Sequence, residues 1–286
     1  MKYWQSLAFV EMDQIIPLAQ FAEELGFHGV TLSDHLITSQ EQADRYLYSS
    51  DGDVLWHPDT PWPDPWIMAT SIAQATERLE ILTCVYILPM RDPFTAAKSI
   101  STAACLSENR VSLGMGIGWQ SLEFDLTGQD FKNRGKRADE GLAVIQKLMS
   151  GEMVDHQGDF YRFSKVQMSP VPTAPLPIYV GGHSESALRR AARHDGWLGL
   201  GYAEPDITPL LRRLQAFRHE AGVQDEAFDI WLALLNPEAT DFPELEDLGV
   251  TSLSGAHFMQ DGRAAPSSLE SKMKRMERFA ERYIQK

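Results

Sequence analysis

The sequence predicts an α/β protein, a (β/α)8 TIM barrel forming a single domain over residues 1–286, and three observations carry that reading. Short β-type runs give way to helical periodicity eight times in succession. Each strand is followed by one helix, which requires right-handed crossovers and a parallel sheet, because no short turn joins parallel strands. No composition shift, Gly/Ser tract or low-complexity run divides the chain, and barrels of this kind run to roughly 200–250 residues as one unit.

Tyr3–Val10 reads as the first strand. The helix after it, Asp13–Gly26, places Ile15, Ile16, Leu18, Ala19, Ala22 and Leu25 on one stripe and is stopped by Gly26. Gly29–Ser33 and Asp64–Thr76 form the second unit, Leu79–Val85 and Pro93–Leu106 the third, Arg110–Gly116 and Arg134–Met149 the fourth. Pro177–Gly181 with Glu185–His194, Trp197–Gly201 with Asp206–Ala221, Phe228–Leu235 with Pro243–Leu248, and Gly249–Gly255 with Ser267–Ile284 complete the set. Two segments stand outside the repeat. Leu36–Pro63, an insertion after the second strand, carries Tyr46, Tyr48, Trp56, His57 and Trp62; sites in barrels are built at the C-terminal ends of strands, so it is expected to be a lid or pocket wall. Glu152–Met168, after the fourth helix, reads as a β-hairpin insertion turning at His156-Gln157-Gly158-Asp159.

Charge narrows the partners. Lys and Arg number 26 against 40 Asp and Glu, a formal charge of −14, so the average surface repels phosphate backbones and anionic lipid. Neither nucleic acid nor a membrane is expected as a partner. No segment reads as a secretion signal or approaches the ~20 apolar residues of a membrane span, and a cytoplasmic location is expected. Cys84 and Cys105 cannot build a disulfide framework and read as buried free thiols. The eight histidines include no His-x-His and no His-Glu-x-x-His pair, so no metal site is expected.

In a barrel the informative residues follow the strands. Asp34-His35, after strand two, offers an acid beside an imidazole able to exchange a proton near neutral pH. An Asp capping the next turn and a His packed on a neighbour is the alternative. Gly114-Met115-Gly116-Ile117-Gly118-Trp119, after strand four, removes side chains where a flat ring could lie against backbone, with Trp119 as a wall; a tight turn alone would also use those glycines. Gly181-Gly182-His183-Ser184, after strand five, joins exposed backbone amides to a helix start and suits one phosphate. Arg189, Arg190 and Arg193 could add positive charge there or form a solvated face. Arg134, Arg137, Asp139 and Glu140 read as ion pairs anchoring the fourth helix.

Taken in order, these elements resemble the bacterial luciferase-like flavin and deazaflavin oxidoreductases. The likeness runs from Ala22-Glu23-Glu24-Leu25-Gly26-Phe27 and Ser33-Asp34-His35-Leu36 through Leu88-Pro89-Met90-Arg91-Asp92-Pro93 and Asn109–Trp119 to Val180-Gly181-Gly182 and Asp195-Gly196-Trp197. It implies a barrel that binds coenzyme F420, or FMN as the alternative, at its C-terminal mouth, with the phosphate at Gly181, Gly182, His183 and Ser184. It further implies a cis peptide at Cys84-Val85 beside the ring, with Gly116, Ile117 and Gly118 also on the cofactor. By the same resemblance His35 is catalytic and Asp34 binds the ring's polar edge. Trp56, His57 and Trp119 are expected to line the substrate pocket. Some deazaflavin dehydrogenases carry a carboxylate where Trp119 stands, and its replacement by an indole favours an apolar or aromatic small-molecule substrate over a sugar phosphate. The polyglutamate tail of the deazaflavin asks for a local basic path, with Arg91 or the arginines after strand five as candidates. The leading expectation is therefore hydride transfer between F420 and an organic substrate. An FMN monooxygenase served by a flavin or deazaflavin reductase, and a flavin-binding protein without turnover, are the alternatives. A homodimer is the expected assembly.

Overall fold

The computed structural model describes residues 1–286 except 40–43, 50, 201–205, 235–241, 256–257, 260–262 and 286. Its elements in chain order are β1 (Lys2–Ser6), α1 (Ile15–Glu24), β2 (Gly29–Leu32), α2 (Pro65–Ala75), β3 (Glu80–Thr83), β4 (Tyr86–Ile87), α3 (Pro93–Leu106), β5 (Val111–Gly116), α4 (Ser121–Leu126) and α5 (Arg134–Met149). Then come β6 (Val154–Gln157), β7 (Arg162–Val166), β8 (Ile178–Gly181), α6 (Glu185–Ala191), β9 (Gly196–Leu200), α7 (Thr208–Glu220), β10 (Asp229–Ala233), α8 (Phe242–Asp247), β11 (Ser252–Ser254) and α9 (Leu269–Tyr283).

The strand order β3-β2-β1-β11-β10-β9-β8-β5-β4 closes on itself through a β3–β5 pairing. All of these pairs are parallel, and β3 and β4 together fill one position, both lying on β5. The result is the eight-position TIM barrel that the alternating pattern predicts. Local chemistry sets the helix starts. Asp64 accepts the Trp66 and Ile67 amides, each at 3.0 Å, with Pro65 opening α2. Asp92 does the same for Thr95, at 2.8 Å, ahead of Pro93 in α3. Both follow the N-cap rule that a side-chain oxygen satisfies an orphan amide while proline fills the first turn.

Outward-facing Val30, Ile81, Leu113 and Val180 meet Ile72, Ile100, Ile145 and Leu188 of the helical layer in one continuous core. Complete burial of such side chains is worth about 1.5–3 kcal/mol each. Trp4, Leu82, Tyr179, Leu198 and Trp231 fill the barrel's interior. Below them Asp229 accepts from Lys2 Nζ at 2.9 Å and from the Tyr179 hydroxyl at 2.8 Å, closing the N-terminal end with charge. The C-terminal end is therefore where the barrel can take a ligand.

Several expectations are corrected. The third strand stops at Thr83 and resumes as β4 at Tyr86, with the cis peptide Cys84-Val85 between them and the Val85 side chain packed against β5 and β8. The sixth helix ends at Ala191 rather than His194, as the chain turns to start β9. Residues 121–126 form a short helix, α4, that apolar spacing alone did not reveal. Cys105 is exposed rather than buried, since it falls on the outer face of α3. Gly201, Leu235 and His257 lie outside the described residues. The hairpin forms as expected from β6 and β7. Glu140 of α5 secures it by accepting the Asp159 amide at 3.0 Å and the Tyr161 amide at 2.8 Å, with His156 Nε2 at 3.1 Å. No helix among the described residues is long and apolar enough to cross a membrane.

Candidate active site

Ser33, Cys84, Val85, Ile117, Gly118, Trp119, Gly181, Gly182 and His183 are all half-buried. They come from the ends of β2, β3, β5 and β8, so parallel strand direction gathers four separate stretches of sequence around one mouth.

Asp34 is buried, 4% exposed. Its Oδ2 and Oδ1 accept from Arg91 Nη1 and Nη2 at 2.5 and 2.7 Å, a bidentate pair, and Oδ2 also takes the Ile87 amide at 2.9 Å. The carboxylate therefore ties the end of β2 to β4 and to the turn after it. That replaces the turn-cap reading, since neither partner lies in the following turn, and gives both oxygens a partner within the protein. Arg91 in turn lies over the Tyr86 ring at 4.5 Å, and burial pushes the Tyr86 hydroxyl up to about 12.

His35 has a different partner. Its Nδ1 is 3.1 Å from Glu123 Oε2, and Glu123 Oε1 accepts the Leu36 amide at 2.7 Å. The Glu123 side chain is 1% exposed and that of His35 9%. Around the imidazole stand Trp62, Trp56 and Trp119, with ring centroids at 4.9, 5.1 and 6.1 Å. Tyr46 and Phe9 continue the wall behind Trp56, at 5.4 and 5.9 Å. The aromatic insertion thus folds onto the mouth, joining residue 119 from after β5. His57 does not join it: the residue is exposed, and its contribution is a backbone amide bonded to Thr60.

The glycines prove to serve the protein's own packing first. A Cβ on Gly116 would stand 2.5 Å from Val85 Cγ2, and one on Gly181 would stand 2.7 Å from Val85 Cγ1. Gly118 clears Phe124 and Ile87, at 2.7 and 2.8 Å. The space expected over Gly116 for a flat ring is thus partly taken by Val85, whose side chain projects between β5 and β8, and that beside Gly118 by Phe124 and Ile87. Burial pushes the adjoining Cys84 thiol up to about 12, which favours the protonated form. Ser33 Oγ holds the Cys84 carbonyl at 3.0 Å.

At the Gly-Gly loop, Gly182 has φ +115°, which glycine adopts without penalty. Ser184 caps α6 by accepting the Ala187 amide at 3.2 Å. His183 Nε2 accepts the Leu200 amide at 3.0 Å, so this ring fastens the loop to β9. Two of the neighbouring arginines are spent on carboxylates, while the exposed Arg193 side chain bonds the Arg189 carbonyl at 3.3 Å. Arg189 is on Glu185 and Glu220 at 2.9 and 2.7 Å, and Arg190 is paired with Asp139. Among the described residues no group of three His, Cys, Asp or Glu side chains is placed to hold a metal ion.

Sequence reasoning missed Glu123, Arg91 as the Asp34 partner, and Phe9. Glu123-Phe124 is one of the stretches that carry the resemblance, but nothing local marks the carboxylate as the His35 partner: Asp125, two residues on, is an exposed acid of the same kind.

Comparison with known proteins agrees with this architecture. The family model described as luciferase-like monooxygenase matches residues 5–236. The Mycobacterium tuberculosis protein Rv0940c is 34% identical over 289 residues, covering 100% of both chains. The F420-dependent glucose-6-phosphate dehydrogenase of the same organism is 29% identical over 224 residues, 76% of this chain and 61% of that one. Among solved structures, the monooxygenase RslO1 from Streptomyces bottropensis superposes with a TM-score of 0.77 at 19% identity, over 99% of each chain. Other structural neighbours include F420-dependent enzymes and an FMN-bound monooxygenase. With the family model spanning most of the barrel, this chain belongs to the luciferase-like monooxygenase family.

Proposed function

We propose that this protein transfers a hydride between coenzyme F420, held at the C-terminal mouth, and a small uncharged apolar or aromatic substrate. The observation that carries the reading is His35, gripped by a fully buried carboxylate and walled by tryptophans at the end of β2. The residues present fit a flat ring with a phosphate-bearing tail. Cys84, Val85, Ile117 and the backbone at Gly116 and Gly118 would back the ring. The backbone of Gly181, Gly182, His183 and Ser184, at the start of α6, would meet the phosphate. Asp34 would act through the Arg91-bound segment it holds in place.

When bound, the deazaflavin supplies a two-electron hydride acceptor or donor. Trp56 and Trp119 exclude water and orient an apolar substrate by contact area. Nδ1 of His35 is engaged by Glu123, so Nε2 is the atom that exchanges a proton with the substrate. An aromatic pocket in which Arg91 is already bound to Asp34 and Glu123 to His35 favours substrates without charge, since a buried ion there would meet no spare counter-charge from these groups.

The second reading is an FMN-dependent monooxygenase that receives reduced flavin from a partner reductase. One observation favours it: Arg91, Arg189 and Arg190 are each spent on a carboxylate, and an acidic tail gains little from cations already paired. A homodimer is the assembly proposed for either reading. Titrating the purified protein with F420 and with FMN separates them. We expect F420 to bind at least about tenfold tighter, a difference of roughly 1.4 kcal/mol. The reverse order adopts the FMN reading, and no binding of either removes both.

A further inference from the structure

We infer that Glu123 is a positioning residue that fixes His35 as the Nδ1–H tautomer, so that neutral His35 offers its Nε2 lone pair to the site. An ionised carboxylate only accepts hydrogen bonds. Glu123 Oε1 already takes the Leu36 amide at 2.7 Å, which leaves Oε2, 3.1 Å from Nδ1, to receive the imidazole N–H. Both side chains are at least nine-tenths shielded from water, 1% and 9% exposed, so water does not compete for that proton. None of the described residues bonds Nε2. Packing closes the remaining freedom: Trp56, Trp62 and Trp119 surround the ring at centroid distances of 5.1, 4.9 and 6.1 Å and oppose its rotation away from the carboxylate. One carboxylate thereby joins the end of β2 to α4 across the mouth and sets which nitrogen carries the proton.

The bland role would be purely architectural: Glu123 pins the Leu36 amide and His35 merely packs nearby. The conservative variant Glu123→Gln separates the two. Glutamine has a single oxygen, and if that oxygen keeps the Leu36 amide, the amide nitrogen faces Nδ1 and draws a lone pair there. The proton then moves to Nε2, while the backbone tie and the side-chain shape remain.

The test begins with the native protein, free of cofactor. Long-range 1H–15N correlation spectra of histidine-labelled protein, with the His35 signals identified by their loss in His35→Ala, are expected to show Nδ1 protonated in the neutral ring. In Glu123→Gln the neutral ring is expected to shift toward the Nε2–H form. A native Nε2–H tautomer, or a tautomer unchanged in Glu123→Gln, overturns the inference, and the native measurement decides even if the variant does not fold. The catalytic consequence rests on the hydride-transfer reading above: at saturating cofactor, Glu123→Gln is expected to slow single-turnover hydride transfer by about 10²-fold while cofactor affinity stays within about threefold. A native rate with altered affinity overturns the positioning role. If neither F420 nor FMN binds, the functional reading fails, and the tautomer result still stands or falls separately.

Discussion

Asp34 and His35 are neighbours in the chain with opposite fates. The Asp34 carboxylate is 2% exposed and consumed by Arg91 and the Ile87 amide, so it is a structural anion. Removing its cation strands a buried charge, which typically costs about 3–5 kcal/mol. Arg91→Ala is therefore expected to lower unfolding free energy by roughly that amount in a urea titration, with a loss under about 1 kcal/mol contradicting the pairing. His35 has a free nitrogen and an aromatic surround, and its contribution should appear in the transition state. His35→Ala is expected to slow single-turnover hydride transfer by about 10²–10⁴-fold with cofactor binding nearly intact. A packed core histidine would show the opposite pattern, lower stability with the chemical step preserved. The adjacency of acid and imidazole was readable in the sequence; which of them keeps a free atom was not, because each is set by a residue distant in the chain, Arg91 after β4 and Glu123 in α4.

The β6–β7 hairpin shows how one side chain can hold an element. Burial raises the Glu140 carboxyl, but the amides of Tyr161, Phe160 and Asp159 and the His156 ring outweigh it and hold Glu140 below the usual carboxylate range. A carboxyl depressed in the folded state contributes stability that is present above its unfolded value, about 4.3, and is lost as pH falls through the folded value. Glu140→Gln, which cannot accept all of these bonds, should lower the melting temperature at pH 7 and flatten its decline in acid. Thermal scans from pH 7 down to pH 3 would show this, and parallel curves for the two proteins would reject it. At this scale the sequence served well where signals are local. Pro93–Leu106 and Arg134–Met149 were bounded correctly, and the hairpin was found from its turn residues. Strand three was misjudged, since its break at Cys84-Val85 comes from packing on β5 and β8 rather than from any breaker residue.

For the molecule as a whole, acid is the weak side. Burial holds His28 below the usual imidazole range, with Lys2 adding to the effect, and burial does the same for His194. Both histidines then bind protons more readily in the unfolded chain, so stability is expected to fall as pH drops below about 6.5, before most carboxylates titrate. Chemical denaturation at pH 7.5 and pH 5.5 should give the higher midpoint at pH 7.5. Restoring the midpoint at pH 5.5 with the double variant His28→Gln/His194→Gln would attribute the effect, and no change between the two pH values would exclude it.

What the sequence determined by itself was the alternation of strand and helix, the helix starts at Asp64-Pro65 and Asp92-Pro93, and the placing of glycines and Asp34-His35 at strand ends. Those are local properties, written in periodicity and in side chains that reach only a turn away. The tertiary structure alone decided that Arg91 neutralises Asp34 across 57 residues, that Glu123 grips His35 across 88, and that Val85 occupies the space the glycines leave. These contacts exist only once the sheet closes. Barrel closure brings strand ends together whatever lies between them in the chain, and no periodicity records which distant side chains will then share a buried proton.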